Sequence, residues 1–593
     1  MKILNKTTKI ISLLMATITA TAVCSMTVNL GRDNATATES ARNQNYVLQM
    51  PSDGLALNTM RQYATKDSSG NITALNLPDT ETLKNNVHEY LDNYLIGTSV
   101  GRLFFNVNYT RSMVPSATFD TAAYDVGITV DGTIDSSNYK NIDRPSAFAD
   151  VQYYWYTLNQ GIDVIGYGID YANTFGVEAW ASVRMNDHHY PTDPGINASF
   201  RYAYASTWGV NGSSMFMDYT VPAVQTCYLN YIKELATNYD IYGVELDFLR
   251  TAPYMSTVDA ENIQILNDFV KRVREEVSAI GKAKTTPRDI KVAVRVYAQE
   301  KTNLDYGMDV AQWVADGSVQ VVTVANYYQP TSFDLPIKEW RESIDGKNII
   351  KHDYAILGGL DWAIKGNPYL YMVMTPAHTR GFTSAAYANG ADGIYLFNMF
   401  YIDGVYATEY TVNSGGAITT KNIFNERMMA SDSLKSAESG LRRYTFSYFS
   451  TYFDYDASTP RVLNAHNTTA FKMQTGTAPE TGYYMVTLGL DGAYDGYDEN
   501  LLTVTLNGKT LTQIGDMPRS SSLNYIDTTT ERGMSHITQS AHRFVQFVVS
   551  DLSIVKDGHN VINVINRSGK QQKIRWVEVF VDGTDGAKPV VTA

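Results

Sequence analysis

Cysteine is nearly absent from this chain, and basic residues are in deficit. Among 593 residues only Cys24 and Cys227 are cysteines, and Cys24 lies next to a removable leader, so no disulfide framework is expected. Cys227 falls in a helix-like segment and is interpreted as a small buried apolar residue. Lysine and arginine number 48 against 61 acidic residues, a net charge of -13. A nucleic-acid partner is therefore not expected, because binding to phosphates requires a basic surface.

Several motifs that would assign a chemistry are also missing. No G-x-G-x-x-G opens a helix after the first strong strand, and no P-loop, G-x-S-x-G elbow or H-E-x-x-H is present. Nucleotide, serine-hydrolase and metalloprotease functions therefore have no motif to support them, and no cofactor is expected. Beyond the leader no apolar run reaches 18 residues, so the sequence predicts no membrane span.

The N-terminus carries the pattern of a secretory signal peptide. Lysines precede an apolar stretch at Ile10–Val23, and Ala20-Thr21-Ala22 offers a small-residue cleavage site. We therefore expect residues 1–22 to be removed and the bacterial protein to be secreted or displayed at the cell surface. A lipid anchor on Cys24 is an open alternative, although Val23 suits the position before an acylated cysteine poorly.

The rest of the chain divides into three parts that differ in composition and in the pattern of apolar residues. Residues 23–76 are polar and are predicted to form a leader or tether, with Tyr46–Met50 as an added strand. Residues 77–440 alternate between strand-like and helix-like segments and include a capping segment at the end. Residues 441–593 contain short strands separated by Gly, Asp and Asn, which is typical of an all-β sandwich. Hydrophobic residues make up 44% of the chain, enough to fill such cores.

The alternation in the second part predicts a parallel (β/α)8 barrel. Seven strands are clear, and the eighth is placed between residues 108 and 163, with Ala149–Leu158 as the candidate. The seven are Leu103–Asn108, Val177–Asn186, Tyr242–Phe248, Ile290–Tyr297, Val319–Tyr327, Tyr354–Leu360 and Asp392–Asn398. Helices are expected between them at Asp163–Phe175, Pro222–Tyr239, Ala260–Ile280, Tyr306–Ala315, Leu335–Ile344 and Pro376–Ala388.

The third of these strands carries two acids on one face. In Tyr242–Phe248 the apolar Val244, Leu246 and Phe248 alternate with Gly243, Glu245 and Asp247. If the apolar residues face the helices, Glu245 and Asp247 point into the barrel near its carboxyl-terminal end, where barrel active sites lie. Two carboxyl groups at such a place suit glycoside cleavage, which needs an acid and a nucleophile or base. We expect both to open onto a solvent-filled pocket. A purely structural role, in salt bridges to Arg250 or Arg295, is the alternative.

Polar residues end nearly every other predicted strand. Asp187, Glu300 and Asp361 are candidates for the remaining acid. Residues predicted to bind sugar hydroxyls are Asn106, Asn108, Arg184, Asn186, His188, Arg250, Arg295, Tyr297, Asn326, Tyr327, Trp362 and Asn398. The run Asp187-His188-His189 is a poor metal site, because adjacent residues rarely converge on one ion, and no metal is expected.

Residues 80–400 resemble bacterial family-10-like glycosyl hydrolase barrels. The resemblance rests on LFFNVNYTR (103–111), WASVRMNDHH (180–189), YGVELDFLR (242–250), VAVRV (292–296) and GADGIYLFNMF (390–400). It implies a barrel with acids at strand ends and points to Glu245 and Asp247. Many retaining barrels place a second acid after the seventh strand, where this chain has Asp361 and a Glu is commoner. The last domain, through GHNVINVINRSG (558–569) and IRWVEVFVDG (574–583), resembles galactose-binding-like or carbohydrate-binding modules, which often serve only as structural braces.

The sequence therefore predicts a secreted glycoside hydrolase that acts on a poly- or oligosaccharide. Asp247 is the first choice as nucleophile or base, and Glu245 is an acid or an orienter of Asp247. A non-catalytic glycan-binding protein on the same scaffold is one rival. A different enzyme, such as a lyase or deacylase, is another.

Overall fold

A computed structural model describes most of the chain after residue 41. The described residues are 42–66, 72–119, 160–187, 197–326, 332–367, 370–399, 408–412, 418–422, 424–446, 461–490, 502–518 and 543–588, together with Ser68, Thr157, Leu158 and Thr459. The predicted signal peptide therefore lies outside the described residues.

Eight parallel strands close into a barrel, which confirms the predicted fold class. In chain order they are β1 (Asn43–Met50), β2 (Val100–Asn106), β3 (Glu178–Arg184), β4 (Gly243–Asp247), β5 (Lys291–Tyr297), β6 (Val321–Ala325), β7 (Ala355–Asp361) and β8 (Gly393–Phe397). Each strand pairs with the next, and β8 pairs with β1 to complete the ring.

The position of one strand was predicted wrongly. The strand β1 comes from the segment assigned to a tether, and the helix Ser52–Met60 follows it. The barrel is complete without a strand at Ala149–Leu158, of which residues 149–156 lie outside the described residues and Thr157 and Leu158 are helical. The sequence shows β1 weakly because polar Asn43, Asn45 and Gln49 interrupt its apolar residues.

Helices surround the barrel and mostly match the predicted ones. The longer helices are Thr80–Leu95, Val164–Thr174, Pro222–Asn238, Ala260–Ala283, Ile337–Lys347 and Pro376–Ala388. The predicted helix Tyr306–Ala315 is shorter in the structure, at Val310–Ala315. A separate short helix, Glu300–Asp305, precedes it, and Gly307, with a positive φ of 81°, lies between the two. Further short helices are Ser199–Ala203, Ala205–Trp208, Phe424–Ala430 and Leu434–Glu438. Three two-stranded hairpins add Ala64–Lys66 with Ile72–Leu75, Ala363–Asn367 with Leu370–Val373, and Thr408–Val412 with Ile418–Asn422.

The lower interior of the barrel is a packed apolar core. A separate buried cluster inside the ring is formed by Val47, Phe104, Trp180, Ala293, Val321, Leu357, Tyr395 and Phe397. Phe104 stacks on Trp180 with ring centroids 4.8 Å apart. Gly243 is required beside them, because a Cβ there would lie 2.2 Å from the Trp180 ring. Functional groups are thereby confined to the upper layers of the barrel.

Two antiparallel sheets form the C-terminal sandwich. One contains Arg442–Phe446, Arg461–Leu463, Tyr483–Leu490, Thr512–Pro518, Arg543–Val548 and Gln572–Asp582, and the other contains Thr468–Gln474, Leu502–Leu506, Lys509–Thr510 and His559–Asn566. Within the sandwich Arg443 Nη1 donates to Glu578 Oε1 in a buried ion pair, and the helix Pro376–Ala388 packs against this pair through His378. His378 Nε2 lies 3.4 Å from the other oxygen, Oε2. Burial raises the pKa of Glu578, but the charges and hydrogen bonds of Arg443 and His378 outweigh it and hold this pKa below its ordinary value.

Candidate active site

The register of the parallel strands determines which inward side chains meet. Ser182 of β3 lies opposite Glu245 of β4, and Asp247 lies opposite both Arg184 of β3 and Arg295 of β5. Neighbouring parallel strands carry opposed residues at the same height, so two polar layers form near the carboxyl end of the barrel. The predicted inward direction of Glu245 and Asp247 is therefore correct.

The upper layer contains an aspartate held by an arginine. Arg295 Nε lies 3.0 Å from Asp247 Oδ1, and Arg295 Nη2 lies 2.8 Å from Asp247 Oδ2, so the pair is bidentate. The guanidinium also lies 3.7 Å from the centroid of the Phe397 ring. Arg250 approaches the same ring at 5.8 Å. This arrangement fixes Asp247 and Arg295 as one rigid ion pair.

The layer below contains a carboxyl group whose pKa is raised by burial. Glu245 Oε2 accepts hydrogen bonds from Ser182 Oγ, at 2.5 Å, and from the Tyr395 hydroxyl, at 3.0 Å. Among the described residues Oε1 has no hydrogen-bond partner. Burial, and then the negative charge of Asp247, raise the pKa of Glu245 to about 8, although Arg295 and the two hydroxyl donors act against the shift. The two acids of β4 thus differ in their partners: hydroxyl groups bind Glu245, and a guanidinium binds Asp247.

The expectation that both acids open onto solvent was wrong. Glu245 is 0% exposed and Asp247 is 2% exposed. Only Asp247 is in a salt bridge, the one to Arg295 that the sequence offered as an alternative. Residues 188–196, 327–331 and 400–407, which follow strands β3, β6 and β8, lie outside the described residues.

A small cleft lies beside the pair, and each buried acid is in contact with a residue of its wall. The cleft and the solvent at its mouth together make up about 270 Å³ of empty space. Only about 10 Å³ of this can hold water-sized molecules, which is room for about one water. Its lining includes Arg295, which binds Asp247, and Tyr395, which binds Glu245. The carboxylate that lines the cleft is Asp361, at the end of β7 and 7% exposed.

Asp187 forms a second cluster of opposite charges after β3. Its Oδ2 accepts from Arg184 Nη1 at 2.6 Å and lies 3.5 Å from Arg250 Nη2. Arg201 Nη1 donates to its backbone carbonyl, and the Arg184 guanidinium lies 4.6 Å from the centroid of the Tyr109 ring. Two arginines therefore neutralise Asp187, and this arrangement favours a positioning role over an acid role.

The asparagines predicted to bind sugar make structural hydrogen bonds. Asn108 joins β2 to β3, because its Oδ1 accepts from Arg184 N and its Nδ2 donates to Arg184 O. Asn106 Nδ2 donates to the carbonyl of Asn108. Asn186 Nδ2 donates to Pro253 O, and its Oδ1 accepts from Met217 N. These bonds fix the strand ends and the loop that follows β3.

The remaining candidates are scattered. Glu300 accepts a hydrogen bond from Ser343 Oγ and lies in a groove at the sandwich, away from the small cleft. Tyr297 is buried and its hydroxyl accepts from Ala252 N at 3.3 Å. Trp362 N donates to Asp361 Oδ1, and Asn398 N donates to Gln49 Oε1. Asn326 lines both the cleft and the groove. His188 and Tyr327 lie outside the described residues.

Two residues of the cleft wall were missed by the sequence reasoning. Tyr395 and Phe397 lie in β8 and alternate with Ile394 and Leu396. The period-two argument that placed Glu245 inside the barrel applies equally to β8 and would have found both.

The described part of the chain offers neither a membrane-spanning helix nor a cluster of metal ligands. No helix there is long and apolar enough to cross a bilayer. No group of three or more His, Cys, Asp or Glu side chains there is placed to hold a metal ion.

Comparison with known proteins gives a likeness in fold. No family model and no curated protein matches the chain, so the resemblance to family-10-like hydrolases stays an expectation. An alpha-L-fucosidase isoenzyme 2 from Paenibacillus thiaminolyticus is similar at 13% identity and TM-score 0.37, over 66% of this chain and 49% of its own. This chain thus spans about half the length of that enzyme. The PgaB (BpsB) glycoside hydrolase domain from Bordetella bronchiseptica is similar at 12% identity and TM-score 0.32, over 60% of this chain and 94% of its own. A GH29 fucosidase from Ruminococcus gnavus in complex with fucose is similar at 12% identity and TM-score 0.30, over 93% and 94%.

Proposed function

We propose that this protein is a glycoside hydrolase whose reaction takes place at the cleft over the carboxyl ends of β5 to β8. The observation that carries the proposal is that one cleft is lined both by Asp361 and by Arg295, the arginine that binds Asp247. Cleavage of a glycosidic bond requires two carboxyl groups in different protonation roles.

The roles follow from the contacts of each acid. Asp247 is assigned the nucleophile or base, because Arg295, a residue of the cleft wall, holds its carboxyl group in a bidentate ion pair. We assign to Asp361 the role of contacting the scissile glycosidic bond, because it lines the cleft. Glu245 is a positioning residue: its hydrogen bond with the Tyr395 hydroxyl fixes a side chain of the cleft wall. Donors such as Arg295 and Asn326 would orient sugar hydroxyls.

Substitution of the two aspartates tests this assignment. Asp361→Asn and Asp247→Asn should each lower kcat by roughly 10²–10⁴-fold, the range for loss of an acid or base group, while glycan binding persists. Asp305→Asn is the matched control, because Asp305 is paired with Lys301 on the exposed helix Glu300–Asp305. Unchanged kcat in both site variants would refute the assignment of roles.

A non-catalytic glycan-binding protein is the second candidate. The enclosure of Glu245 and Asp247 and the narrowness of the cleft favour it. It predicts glycan binding without product, and binding that does not depend on Asp247. Release of a sugar with a new reducing end would eliminate this candidate.

We further propose that the protein acts outside the cytoplasm. The support is the N-terminal pattern of lysines, the apolar stretch Ile10–Val23 and the small residues of Ala20-Thr21-Ala22. Mass spectrometry of protein recovered from the culture medium should find a mature N-terminus at Val23. An intact Met1 on protein retained in the cytoplasm would contradict this.

A further inference from the structure

A second and larger cavity lies between the barrel and the sandwich. The small cleft has a volume of about 10 Å³ open to water-sized molecules, and this cavity has about 540 Å³. The latter volume falls within the range of roughly 300–1,000 Å³ typical of ligand sites. We call this cavity the junction groove.

Both domains supply walls of the junction groove. The barrel contributes Glu300 after β5, Asn326 after β6, and Lys338 on the helix Ile337–Lys347. The sandwich contributes Ala470 and Lys472 from one strand and residues of neighbouring strands. Asn326 also lines the small cleft, so the two cavities are neighbours that share one wall residue.

Hydrogen bonds between the domains hold the walls in place. His559 Nε2 lies 2.8 Å from Asp334 Oδ2, and Gln474 Nε2 donates to Asn389 Oδ1 at 2.8 Å. Asn389 Nδ2 in turn donates to Asp334 Oδ1 at 2.8 Å. Because these bonds connect the sandwich to the barrel directly, the groove is formed before any ligand arrives, which lowers the ordering cost of binding.

The lining carries groups that suit a hydroxyl-rich chain. Lys338 and Lys472 are exposed and make no ion pair within the described residues. Glu339 is an exposed acceptor, and Asn326 supplies an amide. The lining combines these donors and acceptors with apolar side chains such as Pro336 and Phe446, and such a mixture suits a sugar chain, which presents both hydroxyl groups and apolar C–H faces.

We propose that the junction groove binds the continuation of the glycan chain whose scissile bond lies in the small cleft. The inference rests on the proposed function and names its substrate class, an oligo- or polysaccharide of several sugar units rather than a single terminal sugar on a small aglycone. The sandwich is then part of the substrate site and not only a brace.

A variant that fills the groove tests this without removing any contact. Ala470 is exposed in the groove wall, so Ala470→Trp adds bulk where a sugar would lie. Thr510→Trp is the matched control, because Thr510 is exposed on the short hairpin of the same sandwich and does not line the groove. Circular dichroism and melting temperature establish that both variants fold.

The measurement is kcat/KM against chain length for a glycan that the wild type cleaves. Ala470→Trp should lower kcat/KM for long chains by at least tenfold through KM, and leave the shortest cleaved substrate unchanged. Thr510→Trp should change neither. Equal effects on long and short chains, or none, would overturn the inference and leave the proposed function intact.

A binding assay separates failure of the inference from failure of the proposed function. In affinity electrophoresis with soluble polysaccharides, the Asp247→Asn protein should be retarded by the substrate, and Asp247→Asn/Ala470→Trp should not. If no glycan is cleaved but this difference persists, the proposed function is wrong and the groove is still a glycan site. If retardation does not depend on Ala470→Trp, the groove is only a space between domains.

Discussion

Replacement of Glu245 by glutamine tests the electrostatics of the barrel interior. The ordinary pKa of this carboxyl is 4.5, and burial raises it to about 8 in the folded protein. Between these values the unfolded chain loses the proton and the folded protein keeps it. Stability should therefore fall as the pH rises from about 4.5 to about 8 and level off above that. At about 1.4 kcal/mol per pH unit, the full loss is ~5 kcal/mol.

Glu245→Gln keeps the shape of the side chain and removes the titration. Near pH 4.5 the variant should be less stable than the wild type by ~1–3 kcal/mol, because its buried amide has unsatisfied donors. As the pH rises the difference should shrink and change sign. With an unfolding entropy of about 2.1 cal/mol/K per residue over a barrel of about 400 residues, the relative melting temperature should move by roughly 6 °C.

The assay is thermal unfolding of both proteins by circular dichroism at intervals from pH 4.5 to pH 9. Ser182→Ala is the control for mechanism: it removes a donor that lowers the pKa of Glu245, so the pH dependence should extend to higher pH. A difference in melting temperature between the wild type and Glu245→Gln that stays constant over this range would refute the reasoning, because Glu245 would then titrate alike in both states.

Two ion pairs give further predictions. Arg295→Met should destabilise the barrel by ~3–5 kcal/mol, because Asp247 is left buried without its partner. Adding Asp247→Asn to this variant should recover part of the lost stability, measured by urea unfolding. If the effects of the two substitutions were fully additive, the pairing would be contradicted. Arg443→Met should lower the free energy of unfolding by a similar amount, because it leaves Glu578 buried without its partner. The depressed pKa of Glu578 means that its stabilising contribution is present above about pH 4.5 and is lost as the pH falls below that value. Arg443→Met should therefore weaken the acid dependence of unfolding, and an unchanged dependence would refute this.

The fold was largely predictable because the barrel strands repeat one local pattern. In Tyr242–Phe248 and Lys291–Tyr297 apolar residues alternate with small or polar ones, and helices separate the strands at regular intervals. A strand at Tyr46–Met50 was predicted, but its place in the barrel was not, because that place depends on pairing with β2 and β8, which lie 50 and more residues away.

The sequence predicted that the two acids of β4 point into the barrel, but it did not predict how deeply they are buried. The alternation of apolar and polar residues placed Glu245 and Asp247 inside the barrel. It does not show how far each side chain lies from the carboxyl end of the barrel, or which residue of the next strand lies beside it. The contact of Asp247 with Arg295 depends on the register between β4 and β5, which the sequence alone does not show. The same limit explains why Asn106 and Asn108 were expected to bind sugar and instead bond to neighbouring backbone.

The proposed hydrolysis is tested most directly by the fate of the water oxygen. Wild-type protein would be incubated with a panel of polysaccharides in H₂¹⁸O, and the released sugars analysed by mass spectrometry. Hydrolysis predicts saturated products that carry one ¹⁸O atom at the new reducing end, and their loss in Asp361→Asn and Asp247→Asn. Products that are unsaturated or lack the label, or no product from any glycan that the protein binds, would contradict it.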